Sequence, residues 1–271
     1  MDDLTEFDRA LACEAMLYDY EAEWITPGTV DMDHPAVIAW KRPGWPVGYS
    51  RVSRATWTAD EADAGIDAVL AFFGDTAFNW HVGPSSTPAD LVERLVARGL
   101  IVQARPRMMT IALPLAADWP ITPELRVVEV TDAETARVGL RLAHHEEADL
   151  ERDVAERLSY LAMPGRRGGF LVAYLGDVPV ANAGYRYSSD GRCVYLTGAE
   201  TAEPFRGRGV YKSLIAHRAM QAVARGCTLA SILANAESSA PILARHGFVD
   251  HGSLPRLAPA AAPRFSLRAV P

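Results

Sequence analysis

The sequence predicts an α/β protein of two halves, with helices flanking β-sheets. Three observations carry this. Short β-prone runs alternate with helical segments along all 271 residues. A stretch holding three prolines, Pro114 to Pro123, interrupts the pattern near the middle of the chain. The segments on either side share a rhythm: paired strands, a helix, a strand, a short helix ending in Gly, and a further strand. The expected division is residues 1–114, a linker at 115–123, and residues 124–271.

The first half opens with a helix over about Leu4 to Trp24, where Leu4, Phe7, Leu11, Met16 and Leu17 fall near helical spacing. Strands follow at Ala36–Trp40 and Val47–Arg54. Thr58 stands three residues before Glu61, a capping-box signal for a helix running to Phe73 and stopping at Gly74. A strand at Ala77–Val82 leads to a helix over Ala89–Arg98, ended by Gly99. Strands at Leu100–Gln103 and Arg107–Leu113 complete the half.

The second half opens with a strand at Leu125–Val130. Thr131 and Glu134 repeat the capping-box spacing, and helices are expected at about Asp132–Glu147 and Leu150–Ala162. Gly169–Leu175 and Val178–Tyr187 read as a hairpin turning at Gly176-Asp177. The strand beginning at Cys193, the helix Val210–Ala224, a buried strand at Thr228–Leu233 and a helix over Asn235–Arg245 come next. The tail is rich in Ala and Pro to Pro263, and a last strand is expected at Phe265–Val270.

The stretch from Thr197 to Tyr211 organises this half. A strand feeds the turn Arg206-Gly207-Arg208-Gly209, and an amphipathic helix leaves it. A helix N-terminus presents unpaired N–H groups and the positive end of the dipole, and glycine lets an anion approach that backbone. The spacing is not that of a Gly-x4-Gly-Lys-Ser/Thr loop. Nor is it Gly-x-Gly-x-x-Gly, because Lys212 stands at the third Gly position.

Arg206-x-x-Gly209 resembles the Arg/Gln-x-x-Gly-x-Gly/Ala signature of the GCN5-related N-acetyltransferases (GNAT family), departing from it at Tyr211, where a small residue is usual. Asn235 to Phe248 resembles the last motif of the same family, and the element order of residues 124–270 matches its fold. The resemblance implies a mixed, mostly antiparallel central sheet flanked by helices, with acetyl-CoA as cosubstrate and no metal. It implies that Arg206, Gly207, Arg208, Gly209, Val210, Tyr211 and Lys212 cradle the pyrophosphate, while the main chain of Ala199 and Thr201 pairs with pantetheine. The first half looks like a degenerate second copy, as in tandem members of the family. It has no Arg-x-x-Gly between Tyr49 and Thr58, so one coenzyme per chain is expected.

Glu200, near the expected thioester, is the candidate base for the amine, directly or through a water. Asn235 is placed on the coenzyme arm, Ser238 or Ser239 is a candidate for bonding the sulfur or holding a water, and the alternative is that the thiolate leaves unaided. The family's usual proton donor is a Tyr four residues before the Gly, and that position is Leu243, which has no proton to give. Glu146, Glu147 and Tyr185 are candidates for the acceptor pocket. Adjacent residues point apart on a helix, which weakens a metal reading of His144, His145 and Glu146.

Composition narrows the classes further. A formal charge of −7 argues against general nucleic-acid binding. No run of about 18 apolar residues suggests a membrane span. The acidic N-terminus lacks a signal peptide's basic region, and three cysteines cannot all pair, so a reducing, cytoplasmic setting is expected for a monomer or homodimer. The expected activity is acyl transfer to a primary amine of a small molecule. A CoA-binding sensor without catalysis and a peptide-directed acetyltransferase are the alternatives.

Overall fold

The computed structural model describes residues 4–21, 28–45, 47–143 and 147–260. In the first half the chain forms α1 (Glu6–Ala15), β1 (Val30–Asp31), β2 (Val37–Lys41), β3 (Arg51–Ala55), α2 (Ala62–Phe73), β4 (Asn79–His81), α3 (Leu91–Ala97), β5 (Leu100–Ala104) and β6 (Arg107–Ala112). The second half forms β7 (Leu125–Glu129), α4 (Ala133–Leu142), α5 (Leu150–Ala162), β8 (Gly168–Leu175), β9 (Val178–Tyr187), β10 (Cys193–Thr201), α6 (Val210–Ala224), β11 (Leu229–Ala234), α7 (Ser239–Ala244), β12 (Val249–Ser253) and β13 (Arg256–Pro259). Among the described residues no helix is long and apolar enough to cross a membrane.

Two sheets result. The first is six-stranded, in the order β1-β2-β3-β4-β13-β5, and the second seven-stranded, in the order β12-β6-β11-β10-β9-β8-β7. The sheets do not divide where the chain does. β6, which precedes the linker, lies antiparallel between β11 and β12 of the second sheet. β13, from beyond residue 250, lies antiparallel between β4 and β5 of the first. Each half thus inserts a strand into the sheet of the other. The expected boundary at residues 114–124 separates the sequence but not the hydrogen-bonded units.

Helix α1 is shorter than its periodicity suggests. Thr5 and Asp8 form a reciprocal capping box at its start. After Ala15 the backbone is diverted to other partners: the Arg186 guanidinium donates to the Met16 carbonyl, and Ser53 Oγ donates to the Leu17 carbonyl (3.1 Å). The helix lies on the second sheet. Its Cys13 Sγ donates to the Met109 carbonyl (3.5 Å), and Ser231 Oγ donates to the Ala12 carbonyl (3.4 Å). Ala12, Ala15 and Met16 cover Cys193, Tyr195 and Leu229. The opposite face of the same strands, through Val194, Leu196, Ala230 and Ile232, packs against Ile215 and Ala222 of α6 and Ala240 and Leu243 of α7.

Asp19 is the polar counterpart of this seam. Its carboxylate accepts from the Ser189 N–H (2.9 Å), Tyr195 Oη (2.8 Å) and Arg167 Nη2 (3.1 Å). Burial works to raise its pKa, but these donors outweigh burial and hold it below the usual carboxylate range. A depressed carboxylate pKa adds stability above the unfolded-state value and loses it as pH falls through the folded-state value. Asp19→Ala is expected to lower unfolding free energy by about 1–3 kcal/mol at neutral pH, because it takes the acceptor from the buried Tyr195 and the half-buried Arg167. Urea denaturation measures this, and the gap between wild type and variant should shrink as the pH is lowered below about 4.

Several local expectations shift by a residue or more. Asp132, not Thr131, caps α4, accepting from the Thr135 N–H (2.8 Å). Thr58 and Glu61 are hydrogen bonded (2.8 Å), yet α2 begins beyond them at Ala62. The tail, for which no strand is expected before residue 265, holds β12 and β13, while the strand expected at 265–270 lies outside the described residues.

Candidate active site

The site is set by how β10 leaves its neighbours. On one side, the register with β9 runs from Thr197 opposite Gly184 to Glu200 opposite Asn182. One extra residue is therefore accommodated in β10 as a bulge, with Gly198 at φ 27°. On the other side, β10 pairs in parallel with β11 only at Cys193–Tyr195 against Leu229–Ser231. Beyond Tyr195 the strands part, although β10 continues to Thr201 and β11 to Ala234. The edge of β10 from Leu196 onward is left open toward β11, and unpaired strand edges accept an extended guest.

The turn at the end of β10 lies at the head of this opening. A short 3-10 turn at Glu203–Phe205 leads into Arg206–Gly209, and Gly207 and Gly209 take φ values of 77° and 81°. Gly209 is the N-cap of α6 and provides no side-chain cap, and the first turn carries no acid. The first helical N–H groups are accordingly available to an anion. The linker braces the turn from behind. Thr122 Oγ1 donates to the Arg208 carbonyl (2.8 Å), the Thr122 N–H to Ser213 Oγ (2.7 Å) and Trp119 Nε1 to the Lys212 carbonyl (3.0 Å). Arg206 is turned back on the strand: Nε donates to the Thr201 carbonyl (3.1 Å), and Nη2 lies 3.5 Å from Glu200 Oε1.

The same place in the first sheet is closed. β3 and β4 are also a parallel pair, Arg51 opposite Asn79 and Val52 opposite Trp80. Beyond them the segment after β4 zips onto the strand. The Thr87 N–H donates to the Ala55 carbonyl (3.0 Å), the Trp57 N–H to the Thr87 carbonyl (3.3 Å) and Thr87 Oγ1 to the Trp57 carbonyl (2.8 Å). Buried Glu14 locks this segment by accepting from Ser85 N–H (3.1 Å) and Ser85 Oγ (2.9 Å). Helix α2 begins with acids at Glu61 and Asp63, which disfavour an anion.

Individual side chains meet the sequence expectations unevenly. Glu200 lies on the bulged strand with its side chain 14% exposed, opposite buried Asn182, whose Nδ2 has no partner among the described residues. Asn235 is used locally: Oδ1 accepts from the N–H groups of Glu237 (2.9 Å) and Ser238 (3.1 Å), holding the turn before α7. Ser238 is exposed at the N-cap and makes no side-chain cap. Leu243 is 1% exposed within the core.

Tyr185 is 7% exposed. It lies in the core beneath α6, and its hydroxyl donates to Glu129 Oε1 (2.7 Å), because its alternation on β9 points it at that helix. Glu147 is exposed and ion paired with Arg141 (2.9 Å). Glu146, with His144 and His145, lies outside the described residues. Tyr211 packs against the α6–α7 core, and burial raises its hydroxyl pKa while Arg218 and a hydrogen bond to Ser239 oppose the rise.

The remaining reactive groups are structural. Cys13, Cys193 and Cys227 are free and buried, and burial pushes the Cys193 thiol up to about 12. Burial, followed by Arg51 and Arg256, lowers His81 to about 3. Among the described residues no three His, Cys, Asp or Glu side chains gather around a common point as a metal site. One residue the motif comparison passed over is Arg218, in the middle of α6. Its signal is its spacing, four residues after Leu214 and seven after Tyr211, on the face turned to the sheet.

Residues 137–248, which include the parted strands, the turn and α6, match the family model described as the acetyltransferase (GNAT) family. Residues 137–248 match a GNAT domain. The glycine turn and the order of elements are the features on which the sequence resemblance rested. Solved structures extend the likeness to the whole chain. A GCN5-related N-acetyltransferase from Kribbella flavida superposes with a TM-score of 0.68 at 16% identity, covering 92% of this chain and 96% of its own. A tandem GNAT protein from the clavulanic acid biosynthesis pathway gives 0.61 at 17% identity, covering 95% and 94%. A GCN5-related N-acetyltransferase from Sphaerobacter thermophilus gives 0.59 at 15% identity, covering 98% and 95%. At these identities the likeness is one of fold. No curated protein sequence matches the chain.

Proposed function

We propose that the protein is an acetyl-CoA-dependent N-acetyltransferase that acylates the primary amine of a small molecule by direct attack in a ternary complex. One observation carries the reading: β10 and β11 part beyond Tyr195 and Ser231, directly below an uncapped, glycine-led helix N-terminus. The equivalent place in the first half is zipped shut by Thr87. We infer that the first half is a degenerate copy and that one coenzyme binds per chain.

Acetyl-CoA supplies an activated acyl group and a thiol leaving group. The protein supplies position and charge. The N–H groups of Val210, Tyr211 and Lys212, with Gly207, Gly209 and the Arg206 and Arg208 cations, suit a pyrophosphate. The main chain of Ala199 and Thr201 offers hydrogen bonds to an extended amide-bearing arm. Glu200, beside the bulge, accepts the proton of the attacking amine, directly or through water. Buried thiols at Cys13 and Cys193 support transfer without an acyl-enzyme. Leu243, sealed in the core, favours a second reading in which the domain only senses CoA.

A screen of amines with detection of released CoA thiol separates the two. Turnover is expected with at least one small amine, and Glu200→Gln is expected to lower kcat by about 10²–10⁴-fold while acetyl-CoA affinity is retained. Absence of thiol release with every amine, in protein that binds acetyl-CoA, would reject the enzyme reading and leave the sensor.

A further inference from the structure

Arg218 is a buried cation with no acid among the described residues to balance it. The side chain is 1% exposed, in the third turn of α6. All its hydrogen bonds go to main-chain carbonyls: Nε to Leu214 (3.0 Å), and Nη1 to Gly184 (2.9 Å) and Thr197 (3.3 Å). Nη2 is buried and has no partner among the described residues. A buried charge is costly unless it is paired, so an arginine held this way is poised for an anion the chain itself does not provide.

Its location says which anion. Thr197 is the last residue of β10 before the bulge, and Gly184 is its partner on β9. The guanidinium therefore sits against the bulge, two residues past the point where β10 loses β11. Tyr211, Leu214 and Arg218 recur at helical spacing along the sheet-facing side of α6, from the anion-binding turn to the bulge. At the head of this stripe, Tyr211 bonds Ser239, the first residue of α7, across the opening.

The groups facing Arg218 are few. From α6 they are Tyr211 and His217, and from β9 and β10 only the carbonyls of Gly184 and Thr197. Glu129 on β7 is bonded by Tyr185 and acts on His217, while no carboxylate among the described residues acts on Arg218. Burial lowers the guanidinium to about 10, so it stays charged at neutral pH.

We propose that Arg218 stabilises the CoA thiolate released by acyl transfer, taking the place of the proton donor that Leu243 cannot be. The inference rests on the acetyl-CoA reading of the site. As the amine nitrogen bonds to the acyl carbon, the C–S bond breaks and sulfur keeps the electron pair. The amine proton passes to Glu200 or to water, and the products are the amide, the thiolate and that proton. No proton has to reach sulfur on the protein, because the buried guanidinium holds its charge.

The test is a pH titration of CoA bound to the full chain, following the ultraviolet absorbance of the thiolate. Bound thiol is expected to titrate at or below about 7.5, against about 8.5 for a free thiol. Arg218→Lys should keep part of the shift. Arg218→Met should remove it while CoA, as the thiol at low pH, still binds. A wild-type complex whose thiol titrates at or above the free value overturns the proposal and leaves coenzyme binding intact. Failure of CoA to bind wild type overturns the acetyl-CoA reading, and this inference with it. If Arg218→Met does not fold, the wild-type titration alone decides.

Discussion

Residues 1–114 and 124–271, produced separately, are expected to show no cooperative unfolding, whereas the two pieces produced together should assemble. The reason is the exchange of strands. β6 meets β11 along six residue pairs, from Arg107 opposite Ala234 to Ala112 opposite Leu229, and also borders β12. Without it the second sheet is cut between β11 and β12, and fully buried Met109 is lost from the α6–α7 core. The same fragment loses α1, uncovering Cys193, Tyr195 and Leu229. The first fragment lacks β13, whose buried Leu257 fills the layer of Trp80, Leu91 and Leu95. Each large apolar side chain removed costs about 1.5–3 kcal/mol, and several such losses, with the ladder hydrogen bonds that go with them, are comparable to the 5–15 kcal/mol that typically holds a domain. Circular dichroism melts of each fragment measure this. A sharp transition in residues 124–271 alone would show that the exchanged strand is dispensable.

Gly209→Asp is expected to weaken acetyl-CoA binding by about 100-fold or more. Three effects add. Gly209 has φ 81°, a left-handed conformation that costs a side-chain-bearing residue about 1–2 kcal/mol. A Cβ at this position would lie 2.8 Å from Thr122 Oγ1, pushing away the linker that braces the turn. The carboxylate would stand where the helix dipole and the N–H groups favour an anion. Roughly 3 kcal/mol in sum corresponds to about two orders of magnitude in affinity. Gly207 is the informative control. It also has a positive φ, of 77°, but a Cβ there meets nothing within 4 Å. Gly207→Ala should therefore cost much less than Gly209→Ala. Calorimetry with acetyl-CoA, on variants whose melts match wild type, distinguishes these outcomes. Binding of Gly209→Asp within about threefold of wild type would remove the turn from the site.

What could be read in advance is what short-range pattern encodes. Helix α6 spans Val210–Ala224, as its periodicity predicts, because Gly209 starts it and Leu214, Ile215, Ala219 and Ala222 are buried at helical spacing, although Val223 of the expected stripe is exposed. Helix α5 and strand β9 are likewise legible, and the glycine turn lies where its spacing places it. Pairing across long separations leaves no local trace. β13 contains Ala258 and Pro259, which have little strand propensity, yet insertion between β4 and β5 makes that segment a strand. Nothing in Arg107–Ala112 announces that it joins the sheet beyond the linker. Asn235 illustrates a similar limit. Its position after a buried strand suits a ligand contact, but a side chain that can hold two nearby N–H groups does so first. Tyr185 carries the alternation of a strand residue, and alternation alone does not say which face is covered.

The exchanged strands also impose an order of events on synthesis. A chain emerging from its N-terminus presents β4 and β5 early, but the strand that belongs between them ends at residue 259. The first sheet must wait, with two exposed edges, until nearly the whole described chain is available. The second sheet receives β6 before any other of its strands exists, so that strand waits in turn for β11. Neither half is finished first, and the closing steps are the long-range pairings that slow folding most. Aggregation during synthesis should therefore be governed by the wait for β13.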